Sequence, residues 1–309
     1  MQVLRQLSDL AQLHRPLHVA IGVFDGVHLG HQRVIAQARQ AAGKDDAAVT
    51  ITFDPHPARV LHPEKAPPLL TSLPHKLQLI ERLGVDACLV LTFDAAFAAT
   101  PAEKFIEQLS APTHRLRQVC IGARFHFGHH RTGNARLLER LAPSQGFTAT
   151  EIPAVTTPDG ESISSSAVRQ HVLHGRLDHA AAMLGRSFSL LGTVEPGDHR
   201  GQTLGFPTAN LNPHNEVLPP DGVYAARVVL GDQILIGVVN IGRRPTFAQA
   251  TPGRYIEVHI LDFTGNLYGR DVEVVFVQKL RAEQKFPDPS ALQQQIQADI
   301  ARARQVLAG

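Results

Sequence analysis

LHVAIGVFDGVHLGHQRVIAQARQ, residues 17–40, opens as a short apolar run (Leu17, Val19, Ala20, Ile21, Val23). It passes three glycines at four-residue spacing (Gly22, Gly26, Gly30) and continues in a helical pattern that ends near Gly43. The order predicts a strand, a tight turn and a helix. Glycines permit positive φ and a close approach of backbone to ligand, and the amides at a helix start, with the positive end of its dipole, favour an anion. A phosphate is the natural guest. His28 and His31 lie three apart, so on a helix they share one face beside that anion.

The stretch is neither a Walker loop ending in Gly-Lys-Ser/Thr nor a G-x-G-x-x-G dinucleotide fingerprint, and both are absent from the chain. What remains, H-x-G-H after a strand, resembles the nucleotide-binding turn of adenylyl- and cytidylyltransferases. That resemblance implies that the two histidines stabilise charge on an α-phosphate. The alternative is a plain strand-to-helix turn bearing two solvated histidines.

At 309 residues the chain exceeds the usual size of one domain, so two are expected, and 43% hydrophobic residues are enough to fill their cores. A formal charge of +2 without a lysine-rich run argues against a nucleic-acid surface or an anionic-membrane anchor. Small molecules are the expected partners, and self-association is left open. The only two cysteines, Cys88 and Cys120, sit inside apolar runs, which reads as buried thiols in a reducing compartment, by default the cytoplasm. No signal-peptide core opens the chain and no run of about 18 apolar residues can span a bilayer.

The first half alternates strand and helix patterns, as in a parallel sheet covered on both faces. AAVTITF (47–53) is a buried strand ending in DPHP, where Pro55 and Pro57 stiffen a turn that presents His56 at the strand's carboxyl end. HKLQLIERL reads as a helix, DACLVLTF as a strand, and a further helix is expected from Thr100 as cap and Pro101 in the first turn. The strand RQVCIG then opens into GARFHFGHHRTGN. This loop either grips a planar ring between Phe125 and Phe127, with phosphates near Arg124 or Arg131, or tucks its aromatics beneath an ordinary surface loop. In GESISSSAVRQHVLHG, serines 164–166 fit an N-cap and Arg169 projects from the first turns, either a second anion site or a capped helix with a solvated arginine.

The pattern changes near residues 184–186, which sets expected domains of 1–184 and 185–309. From Phe188 the apolar runs are short and β-branched (FSLLGTV, YAARVVL, QILIGVVNIG, YIEVHIL, DVEVVFVQKL), as in a small antiparallel barrel or sandwich. A closing helix is expected, capped by Asp288 with Pro289 in its first turn and Leu292, Ile296, Ile300 and Val306 on the packing face. In LGFPTANL, Thr208 and Asn210 offer hard oxygen ligands of the kind Mg²⁺ accepts, or else the segment is a simple β-turn. Glu257, alternating with Tyr255 and His259, is either a base for an attacking hydroxyl or part of a solvent face.

Taken in series, GVFDGVHLGHQ, TFDPHP, FHFG, ISSSAVR, LGR, LGFPTANL, DGVYAARV, GVVNIGRRPTF, EVHILDF, NLYGRDV and LRAEQKF resemble the bacterial bifunctional riboflavin kinase/FMN adenylyltransferases along essentially the whole chain. The resemblance implies a Rossmann-like α/β nucleotidyltransferase domain followed by a six-stranded antiparallel flavokinase barrel with a C-terminal helix. It implies riboflavin, FMN, FAD and ATP as substrates or products, and Mg²⁺. Carried over by position, His28 and His31 steady the adenylyl transition state, and Gly22, Phe24, Asp25, Gly26 and Gly30 lie against the nucleotide. Ser164, Ser165 and Arg169 hold the leaving pyrophosphate. Phe53, His56, Pro57, Phe125 and Phe127 contact flavin. In the second half, Gly205 and Pro207 contact nucleotide, Thr208 and Asn210 place Mg²⁺ and ATP phosphates, Glu257 is the base, and Arg281 closes the pocket.

Two departures stand out. Similar sequences carry an acidic or amide residue where this one has Arg124, and Gly-Arg where it has Gly201-Gln202 with Arg200 just upstream. A neutral Gln gives no charge-assisted phosphate contact. The alternatives to the bifunctional enzyme are a riboflavin kinase whose first domain binds nucleotide without turnover, and a non-catalytic flavin carrier or sensor.

Overall fold

The apolar run Leu17–Ile21 is buried at all five positions because it is flanked by strands on both edges and covered on both faces. It is the second of six strands: β1 (Gln2–Leu4), β2 (Leu17–Ile21), β3 (Ala47–Asp54), β4 (Ala87–Thr92), β5 (Leu116–Gly122) and β6 (Thr148–Ile152). All pair in parallel, in the order β1-β4-β3-β2-β5-β6. The computed structural model describes residues 1–111, 115–196, 206–243 and 254–308.

Six helices connect these strands: α1 (Leu29–Ala42), α2 (Pro57–Leu61), α3 (Leu73–Glu81), α4 (Ala95–Ala98), α5 (Ala102–Ser110) and α6 (Ala135–Gln145). Alternate side chains of β2 enter different cores. Leu17, Val19 and Ile21 pack with Phe105, Ile106 and Leu138, while Ala20 packs with Val34, Ile35 and Ile80. Helices therefore cover both faces, the arrangement a parallel sheet requires. From β2 the chain runs outward to β3 and β4, then crosses back to lay β5 on the other side. The carboxyl ends of β2 and β5 thus form the switch point where open α/β sheets receive ligands.

Two strands were not foreseen. β1 has three residues, and β6 (TATEI) is polar and nowhere fully buried, so neither shows an apolar run. Thr100 is not the expected cap. Pro101 takes the N-cap position of α5 without a side-chain bond, and the Thr100 hydroxyl turns back to the Ala96 carbonyl at 3.5 Å.

Contacts divide the chain into two units, 1–68 with 73–165, and 69–72 with 166–309. The helices α7 (Ser165–Leu173), from Ser166 on, and α8 (Leu177–Leu184) therefore group with the second unit, where the sequence placed the boundary after residue 184. That unit is built on a closed barrel of β7 (Ser189–Glu195), β8 (Ala209–Pro213), β9 (Gly222–Leu230), β10 (Gln233–Arg243), β11 (Arg254–Ile260) and β12 (Asp271–Arg281), ordered β10-β11-β8-β7-β12-β9 and antiparallel throughout. The hairpin between β9 and β10 needs two residues, and Gly231 supplies the positive φ of 60° that such turns favour. Tyr224 and Phe276 meet edge-on inside at 5.4 Å.

Helix α9 (Pro289–Leu307) starts as expected, with Asp288 accepting from the Ala291 amide at 2.8 Å and Pro289 in the first turn. Its buried face differs. Asp299, Ala303 and Leu307 are the buried residues, and Leu292, Ile296, Ile300 and Val306 are only partly covered. Asp299 is buried because the Arg281 guanidinium of β12 reaches both its oxygens, at 2.9 and 3.2 Å, with Gln295 adding a bond of 2.9 Å. Removing one partner of a buried pair strands the other charge. Asp299→Ala is expected to lower the unfolding free energy by on the order of 3 kcal/mol, read by chemical denaturation, with Asp299→Asn losing less.

Candidate active sites

The turn after β2 is held in an unusual backbone. Gly26 has the expected positive φ, 80°, but Gly22 and Gly30 do not; the other left-handed positions are Phe24 at 53° and Val27 at 42°. Gly22 and Gly30 serve close packing instead. A Cβ on Gly22 would lie 2.7 Å from the Phe24 ring, and one on Gly30 would lie 3.1 Å from the His28 ring. Side chains tie down the carbonyls of the turn one after another. Thr52 and Lys76 donate to Val23 O at 2.9 and 3.2 Å, Ser165 to Asp25 O at 2.8 Å, and Gln32 to Val27 O at 2.9 Å.

His28 is the N-cap of α1, and its Nδ1 accepts from the His31 amide at 3.3 Å, which leaves the ring proton of the neutral form on Nε2. The two imidazoles stack at 3.6 Å, and Phe24 meets His31 edge-on at 5.2 Å. His31 Nδ1 is buried without a hydrogen-bond partner among the described residues. Desolvation, then the neighbouring His28 and the Lys76 ammonium, hold His31 well below the ordinary 6.5 of an imidazole. The amides of Leu29 and Gly30 have no acceptor within the helix. Beside them lies a cavity of about 250 Å³, walled by the residues that follow β2, β5 and β6, including His28, His31, Arg124, Phe125 and Ser164. Polarised amides, a desolvated imidazole and an arginine suit a polyphosphate.

On the barrel, register places a second set of functional groups together. Glu257 of β11 pairs with Asn210 of β8 on one side and with Asn240 of β10 on the other. Directly paired residues share a sheet face, so the three form one transverse row. Ile256, Val258 and Ile260 point the opposite way into the core, which puts the row on the outer face. His259, on the outer face like Glu257, bonds the Pro207 carbonyl at 2.7 Å and so fixes the segment entering β8. Thr208 and Pro207 line a cavity of about 280 Å³ with Asn266 and Tyr268.

The FAD synthetase family matches residues 10–167 and the riboflavin kinase family residues 184–307. Relatives described as bifunctional riboflavin kinase/FMN adenylyltransferase align nearly end to end. The one from Escherichia coli (strain K12) is 38% identical over 99% of this chain and 97% of its own, and the one from Pseudomonas fluorescens 37% over 100% and 98%. The chain belongs to the bifunctional riboflavin kinase/FMN adenylyltransferase family. A crystal structure described as a macrolide-efflux protein from Streptococcus pneumoniae shares the architecture, with a TM-score of 0.82 and 28% identity over 98% of this chain and 99% of that one. No helix among the described residues here is long and apolar enough to cross a membrane.

Several residues that the resemblance assigned to ligands make contacts within the protein. Phe53 belongs to the core, packed edge-on against Phe93 at 5.9 Å. Phe127 is buried against Phe105, and Phe125 stacks on it at 6.2 Å, so no slot for a planar ring opens between them; only Phe125 faces the cavity. His56 caps α2 by accepting from the Ala58 amide at 3.1 Å, with Pro57 in the first turn, and neither lines the cavity. Ser165 donates its hydroxyl to the Asp25 carbonyl of the turn at 2.8 Å. Arg169 is buried on α7 within the second unit. Arg281 is the strut to Asp299, its guanidinium also lying 5.6 Å over the Phe286 ring. Gly205, Arg200, Gly201 and Gln202 lie outside the described residues.

Lys76 escaped the sequence because a lysine in HKLQLIERL reads as a solvated helix face. It is buried, and its ammonium joins Val23 O of the turn to Phe53 O at the end of β3, at 3.2 and 3.4 Å. The folded pKa of His31 lies below its unfolded value, so between the two the unfolded chain binds more protons. The contribution of the neutral ring is complete above pH 6.5 and is lost as pH falls toward the folded value. His31→Gln should remove that part of the acid destabilisation. Lys76→Met should raise the His31 titration midpoint in imidazole NMR, and an unchanged midpoint contradicts this account of the site.

Proposed function

We infer that the cavity at the β2/β5 switch point is the adenylyltransferase site and that the Glu257 row on the barrel is the kinase site. The chain makes flavin cofactors: riboflavin is phosphorylated by ATP to FMN, and FMN is adenylylated by a second ATP to FAD with release of pyrophosphate. The observation that carries the first assignment is the stacked His28–His31 pair at the start of α1, open to a cavity beside Arg124 and Ser164.

In the first site the FMN phosphate attacks the α-phosphorus of ATP. The α1 amides and His31 take up charge that develops on the α-phosphate, Phe125 offers a face for the flavin, and Ser164 holds pyrophosphate as it leaves. Phosphoryl and nucleotidyl transfer depend on position and charge, and neither step requires a covalent intermediate. In the second site Glu257 accepts the proton of the ribityl 5′-hydroxyl as it attacks the γ-phosphorus.

Thr208, which lines the barrel cavity, and Asn210, two residues on, offer hard oxygens that fit Mg²⁺ and would hold it together with the ATP phosphates. Bound there, Mg²⁺ would neutralise charge on the transferred phosphoryl group. Cytoplasmic residence fits the two free cysteines, Cys88 and Cys120, whose burial pushes both thiols up to about 12.

The test is turnover of riboflavin with ATP and Mg²⁺, followed by chromatography, where FMN and then FAD are expected. His31→Ala should cut FAD formation by at least about 100-fold and spare FMN formation. Glu257→Ala should cut FMN formation by about 100-fold or more and spare FAD formation from added FMN. Equal loss of both steps in either variant overturns the division of labour. FMN alone from the unaltered protein would support the kinase-only reading, and retained flavin without turnover the carrier.

A further inference from the structure

Asn240 presents a buried acceptor that no described residue satisfies. Its Oδ1 has no hydrogen-bond partner among the described residues, while its Nδ2 donates to the Tyr255 hydroxyl at 3.2 Å. That hydroxyl in turn donates to Glu283 Oε1 at 3.1 Å. A carboxylate only accepts, so the direction of the chain is fixed: the phenol spends its proton on Glu283 and takes one from the Asn240 amide. Burial, then the charge of Glu283, pushes the Tyr255 phenol up to about 12, so it remains a donor at neutral pH. Gly242, paired with Tyr255, makes room for this arrangement, because a Cβ there would overlap Glu283 Oε1 and lie 2.7 Å from the phenol oxygen.

The relay determines which end of the amide is left over. Asn240 stands directly opposite Glu257 in the strand register, so an amide oxygen and a carboxylate, both acceptors, occupy neighbouring places on one sheet face. An unsatisfied buried acceptor is costly, and a ligand hydroxyl relieves that cost on binding.

We propose that Asn240 is a substrate-binding residue of the kinase site, accepting a hydrogen bond from a hydroxyl of the substrate's polyol chain, and that Tyr255 and Glu283 are positioning residues that hold its oxygen toward that hydroxyl. The proposal rests on Glu257 as the base of the same site. Binding the polyol through Asn240 orients the terminal hydroxyl to the carboxylate, so that recognition and proton acceptance come from adjacent strands. The site then prefers a hydroxylated side chain to a bare isoalloxazine.

The experiment compares riboflavin with lumiflavin, which lacks the ribityl chain, by flavin fluorescence on the full-length protein. Asn240→Leu should weaken riboflavin binding about tenfold and leave lumiflavin binding unchanged, with KM for riboflavin raised more than KM for ATP. Tyr255→Phe should show the same selectivity at a smaller size, and the double variant should be no worse than Asn240→Leu alone. Tyr255→Phe keeps the ring, so it carries the comparison if Asn240→Leu does not fold. Equal weakening toward both flavins, or unaltered riboflavin binding, overturns the proposal. Glu257→Gln separates the two levels: if it still forms FMN at the normal rate, the site itself is misplaced, whereas its loss of FMN formation with unselective Asn240 and Tyr255 variants rejects only the relay.

Discussion

Between β2 and α1 two residues with side chains, Phe24 and Val27, hold left-handed backbone on either side of Gly26. Each such residue costs about 1–3 kcal/mol and persists only where the surroundings over-determine it. Here the surroundings are Thr52, Lys76, Ser165 and Gln32, whose donors reach three carbonyls of the bend. The carbonyls are tied down by side chains, while the amides at the start of α1 have no acceptor within the helix. The strain, the caps and the stacked histidines are therefore one device, and the parallel sheet beneath is the frame that brings its parts together at the switch point.

The barrel reaches the same end by other means. There strand register does the positioning: Asn210, Glu257 and Asn240 fall in one row because their strands pair at those residues. The buried pair of Arg281 and Asp299 fastens α9 to the end of β12, the strand that pairs with β9 at Val223, and Val223 pairs with Asn240. Rigidity comes from the ladder and the strut, so a one-residue slip would turn the whole row inward.

Much of this was legible in the sequence because its signals are local. Strand, glycine and imidazole lie within FDGVHLGH, the short β-branched runs announce an antiparallel barrel, and Asp288-Pro289 announces a helix. What escaped depends on tertiary burial. Lys76 looks like any helix lysine until the strands bury it, and Asn240 looks like a break in an apolar run until register sets it opposite Glu257. Aromatic residues misled for the same reason. Phe53 and Phe127 serve the core and Phe125 the cavity, and spacing cannot separate them. Arg281 read as a ligand-closing group because its partner, Asp299, lies 18 residues on in another element.

Under the proposed function a desolvated, neutral His31 receives the nucleotide's phosphates. A polyphosphate placed against such a ring favours its charged form, so binding should draw in a proton. Calorimetric titration of ATP near pH 6.5 in buffers of different ionisation enthalpy measures that uptake directly. Net proton uptake by the unaltered protein is expected, and it should disappear in His31→Gln while binding at the barrel site persists. Uptake of the same size in both proteins, or none in the unaltered one, would contradict it.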